Sequence, residues 1–157
     1  MLLNGSKREE ASQICQTLLD SCEDGNYGVY HKDESIDRIV IRSGYINGTG
    51  LESDLEAGKP ATIVATVFSY DDGSEDYADF YYASDAYNPI WQYIDTIQPP
   101  QGGLQELMME YTIPDGEIQA VSVVFRHLGN WSNCIEGGFD DTDNIVFSVI
   151  ASTEPST

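Results

Sequence analysis

Positive charge is scarce in this sequence: Lys and Arg number 7 against 27 Asp and Glu, which leaves a formal net charge of −20 over 157 residues. So acidic a chain repels phosphate backbones and anionic lipid surfaces, which excludes nucleic-acid binding and charge-driven membrane association. Long apolar runs are missing as well. None approaches the roughly 20 residues of a membrane-spanning helix, so membrane insertion is not expected. Cysteine is sparse, with Cys15, Cys22 and Cys134, and an odd count leaves one thiol out of any intramolecular pairing scheme. The opening residues MLLNGSKREEASQ lack a basic start followed by an apolar stretch, so no secretory signal peptide is read in them. Helical periodicity is confined to residues 9–19 and is short and weak there.

What is present points to a β-rich core. An apolar share of 41% with ten Tyr, five Phe and two Trp is too rich for a disordered acidic chain. A single domain of this length buries about 70% of the surface that its unfolded chain exposes. Runs rich in β-branched and aromatic residues predict strands over 36–43, 61–70, 78–84, 90–97, 105–113, 118–127 and 145–151. Alternation places Leu107, Met109, Tyr111 and Ile113 on one face of its strand, and Val121, Val123 and Phe125 on one face of the next. Pro114-Asp115-Gly116 between these two runs reads as the turn of a hairpin, and 85–89 reads as the turn of another. Seven to nine strands in a chain of this size predict an antiparallel two-sheet sandwich of the jelly-roll type. The sandwich is expected over 21–151, after a partly irregular N-terminal extension at 1–20 and before a tail or linker at 152–157.

Two acidic segments flank the outer predicted strands: DGNYGVYHKDESID at 24–37 and DDTDN at 140–144. Packed carboxylates repel one another, and a hard cation that takes 6 to 8 oxygen ligands converts that repulsion into binding. If the first and last strands lie side by side, Asp24, Glu34, Asp37, Asp140, Asp141 and Asp143 form the expected ligand set for Ca²⁺. No EF-hand spacing is present, so such a site is discontinuous. The same acids also suit solvated turn and cap positions. A third stretch, with Asp71, Asp72, Glu75, Asp76, Asp79 and Asp85, reads as a solvated hairpin end.

Catalytic patterns are lacking: H-E-x-x-H, G-x-S-x-G and G-x-x-x-x-G-K-[ST] do not occur, and a non-enzymatic role is expected. His127 ends an alternating strand and reads as a strand-edge residue. His31, beside Tyr30, Asp33 and Glu34, reads as a hydrogen-bonding partner near the cation. Aromatic rings supply the expected ligand contacts, through Tyr87, Tyr93 and Trp131, while Phe80 and Trp91 are expected to pack inside. The alternatives are a glycan-acting hydrolase using two of the carboxylates and a structural or adhesive extracellular protein.

Four segments carry a family resemblance: CEDGNYGVYHKDESIDRI at 22–39, ADFYYASDAYNPIWQYI at 78–94, PPQGGLQELMMEYTIPDGEIQAVSVVFRH at 99–127 and CIEGGFDDTDNIVFSV at 134–149. Together they resemble an accessory β-sandwich domain appended to secreted bacterial hydrolases, notably peptidases, and found in algal extracellular proteins. The resemblance covers most of the chain. It implies a non-catalytic, secreted module; taken with the strand pattern and the acid pairs, the expected partner is a polysaccharide or an extracellular protein and the module is accessory to a hydrolase. It further implies a disulfide between Cys22 and Cys134, with Cys15 left over where the family pattern places no cysteine.

Overall fold

A computed structural model of the chain describes residues 31–48, 54–129 and 141–155. Seven strands lie in these segments: β1 (Ser35–Ser43), β2 (Pro60–Ser69), β3 (Asp76–Ala83), β4 (Gln92–Ile97), β5 (Gly103–Thr112), β6 (Ile118–His127) and β7 (Asp141–Ser148). They form two antiparallel sheets ordered β1-β2-β5 and β4-β3-β6-β7. Each strand overlaps one of the runs predicted from β-branched and aromatic content. The start of β7 differs: the acidic residues Asp141 and Asp143 lie within it, paired across from Phe125 and Val123 of β6. The weak helical periodicity at 9–19, the extension at 1–20 and all three cysteines lie outside the described residues.

The strand pleat sends alternate side chains to opposite faces, and the register decides which set meets the other sheet. In the three-stranded sheet Ala61, Ile63 and Ala65 of β2 stand opposite Tyr111, Met109 and Leu107 of β5. In the four-stranded sheet Ala78 and Phe80 of β3 stand opposite Phe125 and Val123 of β6. These sets form one buried core together with Ile36, Ile41, Val121 and Phe147, and the Tyr82 and Tyr111 rings stack within it at 5.4 Å between centroids. Burying each large apolar side chain contributes roughly 1.5–3 kcal/mol. β6 is buried at every position from Gln119 to Arg126, as suits a strand paired on both sides. Its outward Ala120 packs with Ala86, Val146 and the half-buried Trp91 in a second, smaller cluster.

Two expectations about connectivity are corrected. β5 and β6 do not form a hairpin, since they belong to different sheets. The chain changes sheets between Ile113, whose N–H donates to Lys59 O, and Glu117, whose carbonyl accepts from Val149 N. Buried Gln119 holds this crossover by donating Nε2 to Pro114 O at 2.6 Å and to Gly116 O at 2.9 Å. A Pro-Asp-Gly turn between alternating runs has the same local chemistry whether it folds back within a sheet or arches between two. Among the described strands the order is likewise not that of a jelly roll. Pairing 1-2-5 on one sheet and 3-6-7 on the other is the immunoglobulin-type order, here with the fourth strand on the second sheet. The β3–β4 hairpin is as expected, with a register shift between Phe80 and Tyr81. Thr153, in the expected tail, donates both N–H and hydroxyl to Glu56 Oε1.

Candidate metal centre

The strand register brings Asp76, the first residue of β3, directly opposite His127, the last of β6. Both share the core-facing side of their sheet with Ala78 and Phe125, so they point into the end of the space between the sheets. Glu34 reaches the same point from the other sheet, one residue before β1. His127 Nδ1 lies 3.0 Å from Glu34 Oε1 and 3.2 Å from Asp76 Oδ1, and its Nε2 lies 3.6 Å from Glu75 Oε2. The second Asp76 oxygen accepts the Tyr70 N–H at 2.9 Å, which fixes the carboxylate. Beyond the strand ends, Leu128 adopts φ +58 and donates its N–H to Glu75 O at 2.7 Å. The Glu34 and Asp76 side chains are 4% and 1% exposed and the imidazole 28%, so the group is buried with one side toward solvent.

Electrostatics follow from that burial. Desolvation pushes the Glu34 carboxyl up to about 7. Its own backbone hydrogen bond opposes this, a hydrogen bond with Asp76 and that residue's negative charge add to it, and the His127 charge opposes it. For His127, burial disfavours the imidazolium, but the hydrogen bond to Asp76 and the charges of Glu34, Asp76 and Glu75 outweigh it, and its pKa is raised. Glu34, Asp76 and His127 each offer one donor atom, all within 4.8 Å of one another. Two carboxylates and one imidazole are a donor set for a divalent cation.

The expected calcium ligands are distributed differently. Glu34 is the member of that set that joins a group of three donors among the described residues. Asp37 sits at the β-bulge of β1, where its Oδ2 lies 2.7 Å from His31 Nε2 and its Oδ1 accepts the Ser35 hydroxyl at 3.3 Å. The His31 ring stacks on Phe68 at 4.9 Å. β1 and β7 do come together, but as edge strands of different sheets, and Asp141 Oδ2 accepts the Ile36 N–H at 2.7 Å across that edge. Asp143 shares the core-facing side of β7 with Asp141. Asp24 and Asp140 lie outside the described residues.

The third acidic stretch divides. Asp71, Asp72, Glu75 and Asp85 are exposed as expected, whereas Asp76 and Asp79 are buried, which corrects their reading as solvated acids. Asp79 forms a bidentate pair with Arg126, Nε to Oδ2 at 2.7 Å and NH2 to Oδ1 at 3.2 Å, and Oδ1 also accepts the Thr96 hydroxyl at 2.6 Å. Arg126 NH1 donates to the carbonyls of Leu128 and Gly129, and the guanidinium lies 4.7 Å from the centroid of the Tyr77 ring. Residue type alone did not distinguish these acids from their neighbours. For Asp79 the available signal was position, since it falls inside the predicted strand 78–84, whereas Asp76 precedes that run and becomes the first residue of β3.

Of the expected ligand-binding aromatics, Tyr87 is 61% exposed on a turn held by Asp85 Oδ1, which accepts the N–H groups of Tyr87 at 2.8 Å and Asn88 at 3.4 Å. Tyr93 is half-buried, with its hydroxyl 2.6 Å from Thr96 Oγ1 and its ring tilted against Tyr81. Trp131 lies outside the described residues. Phe80 is in the core as expected.

No protein-family model and no curated protein matches the sequence. Among solved structures the chain is similar to the C-terminal domain of Wzt, with a TM-score of 0.55 at 14% identity over 86% of this chain and 90% of that one. It also matches the sensor domain of the anti-sigma factor RsgI4 of Pseudobacteroides cellulosolvens, with a TM-score of 0.41 at 13% identity over 75% of this chain and 100% of that one. Neither is a hydrolase accessory domain. At such identities the likeness to the Wzt domain is one of fold: an all-β domain.

Proposed function

We propose that this chain is a non-catalytic, secreted β-sandwich module, accessory to a hydrolase, that binds a polysaccharide or an extracellular protein through the β3–β4 end of the four-stranded sheet. The observation that carries this proposal is the braced turn at Asp85. Two N–H groups of the turn are bonded to one carboxylate oxygen, so Tyr87 stands in solvent on a preorganised support. Ile90, 75% exposed, follows three residues later. A ring held in place loses little conformational freedom on binding, and an apolar face with a polar rim suits sugar stacking. Binding is favoured over hydrolysis because the three buried carboxylates of the described residues are engaged in contacts within the fold: Asp79 with Arg126 and Thr96, Asp76 with Tyr70 and His127, and Glu34 with His127. Calcium belongs to the same proposal, with Asp37, Asp141 and Asp143 as the remaining described acids of the expected set.

Retardation of the protein in gels containing candidate polysaccharides tests the proposal. Tyr87→Ala should weaken retardation by roughly tenfold, as loss of about 1.4 kcal/mol implies, with unchanged melting temperature. Release of reducing ends that disappears on replacement of one Asp or Glu would assign the chain to the hydrolases instead.

A further inference from the structure

We infer that Glu34, Asp76 and His127 bind a divalent transition ion of the zinc class, at a site separate from the calcium of the proposal above and independent of what the module recognises. The donors come from three segments and both sheets, yet the ligand atoms lie within 4.8 Å of one another. The two carboxylate oxygens are 3.0 and 3.2 Å from Nδ1. Neighbouring ligands around one ion with bonds of about 2.0–2.2 Å are spaced by about that much, so small side-chain adjustments admit the metal.

The surroundings support the same assignment. Asp76 is oriented by the Tyr70 N–H on its other oxygen, and the far side of the imidazole faces the exposed Glu75 carboxylate at 3.6 Å, an ion-pair distance longer than a hydrogen bond. The negative charge of Glu75 on that side favours a cation at the site. The imidazole is 28% exposed, so the ring is reached from solvent. Imidazole among the donors selects zinc, nickel or cobalt over magnesium and calcium, which prefer all-oxygen sets. On binding, Nδ1 gives up any proton it carries between the two carboxylates, and that proton leaves to solvent.

The test is thermal unfolding of chelator-treated protein with zinc or with magnesium at matched ionic strength. Zinc at a hundredfold excess over Kd should raise the melting temperature by roughly 5–11 °C more than magnesium does. The gain should vanish in His127→Asn, shrink in Glu34→Gln and persist in His31→Asn. Cobalt should give visible ligand-field absorption without a sulfur charge-transfer band, which distinguishes this oxygen and nitrogen site from binding at Cys15, Cys22 or Cys134. A zinc gain equal to that of magnesium, a gain unchanged in His127→Asn, or a cobalt spectrum dominated by sulfur would overturn the inference. Should His127→Asn fail to fold, nitrogen NMR of the wild-type histidine rings decides: zinc must shift Nδ1 of His127, and a shift confined to His31 refutes the site.

Discussion

Asp79 is fully buried and Arg126 nearly so, and each is held by more than one contact. Removing one partner of a buried pair leaves the other charge unsatisfied, at a cost of about 3–5 kcal/mol, whereas replacing both with apolar groups is often close to neutral. Urea unfolding should therefore show a large loss for Asp79→Asn and substantial recovery in the double variant Asp79→Leu with Arg126→Leu. Glu34 makes a pH-dependent contribution of definite sign. Its folded pKa is raised from 4.5 to about 7, so its contribution to stability is full below about 4.5 and is lost as pH rises through about 7. His127, also raised, acts in the same direction: its contribution is present below its ordinary value and lost as pH rises through the folded one. In chelator, the melting temperature should fall between about pH 5 and about pH 8, and Glu34→Gln should flatten the fall. The variant comparison isolates Glu34 from the general repulsion of an acidic chain.

At the scale of elements, alternation in β5 and β6 correctly assigned the inward faces, yet did not reveal that the two strands belong to different sheets. The crossover between them is tightly built. Gly116 has φ +141, and a Cβ there would sit 2.2 Å from the Ser84 carbonyl oxygen. Gly58 has φ +83 with nothing within 4 Å of such a Cβ. Gly58→Ala should then lose only the backbone cost of about 1–2 kcal/mol, while Gly116→Ala adds an overpacking cost of about 1–3 kcal/mol. Chemical denaturation of the two variants separates the two costs. Equal losses would mean that the Ser84 strand end yields freely.

For the whole molecule, a charge of −20 makes any salt stabilising, because screening weakens repulsion over a Debye length of about 10 Å at 0.1 M. Calcium must therefore be judged against magnesium at equal ionic strength. Specific binding at a hundredfold excess over Kd should exceed the magnesium gain by roughly 5–11 °C and should fall in Asp143→Ala. Equality of the two ions would leave Asp37, Asp141 and Asp143 as caps and edge contacts, like the Asp141 bond to Ile36.

The sequence by itself determined the all-β class, the number of described strands and most of their inward faces, because pleat periodicity and β-branched content are local properties. It also marked Glu34 and His127 separately, one as a cation ligand and one as a strand end. Only the tertiary structure decided that they meet. Their approach depends on β1 and β6 packing from opposite sheets and on a register that sets Asp76 across from His127. Sheet membership, and with it the burial of Asp76 and Asp79, is set by contacts between strands distant in sequence, and an acid in a strand has the same local pattern whether it faces water, an arginine or a histidine.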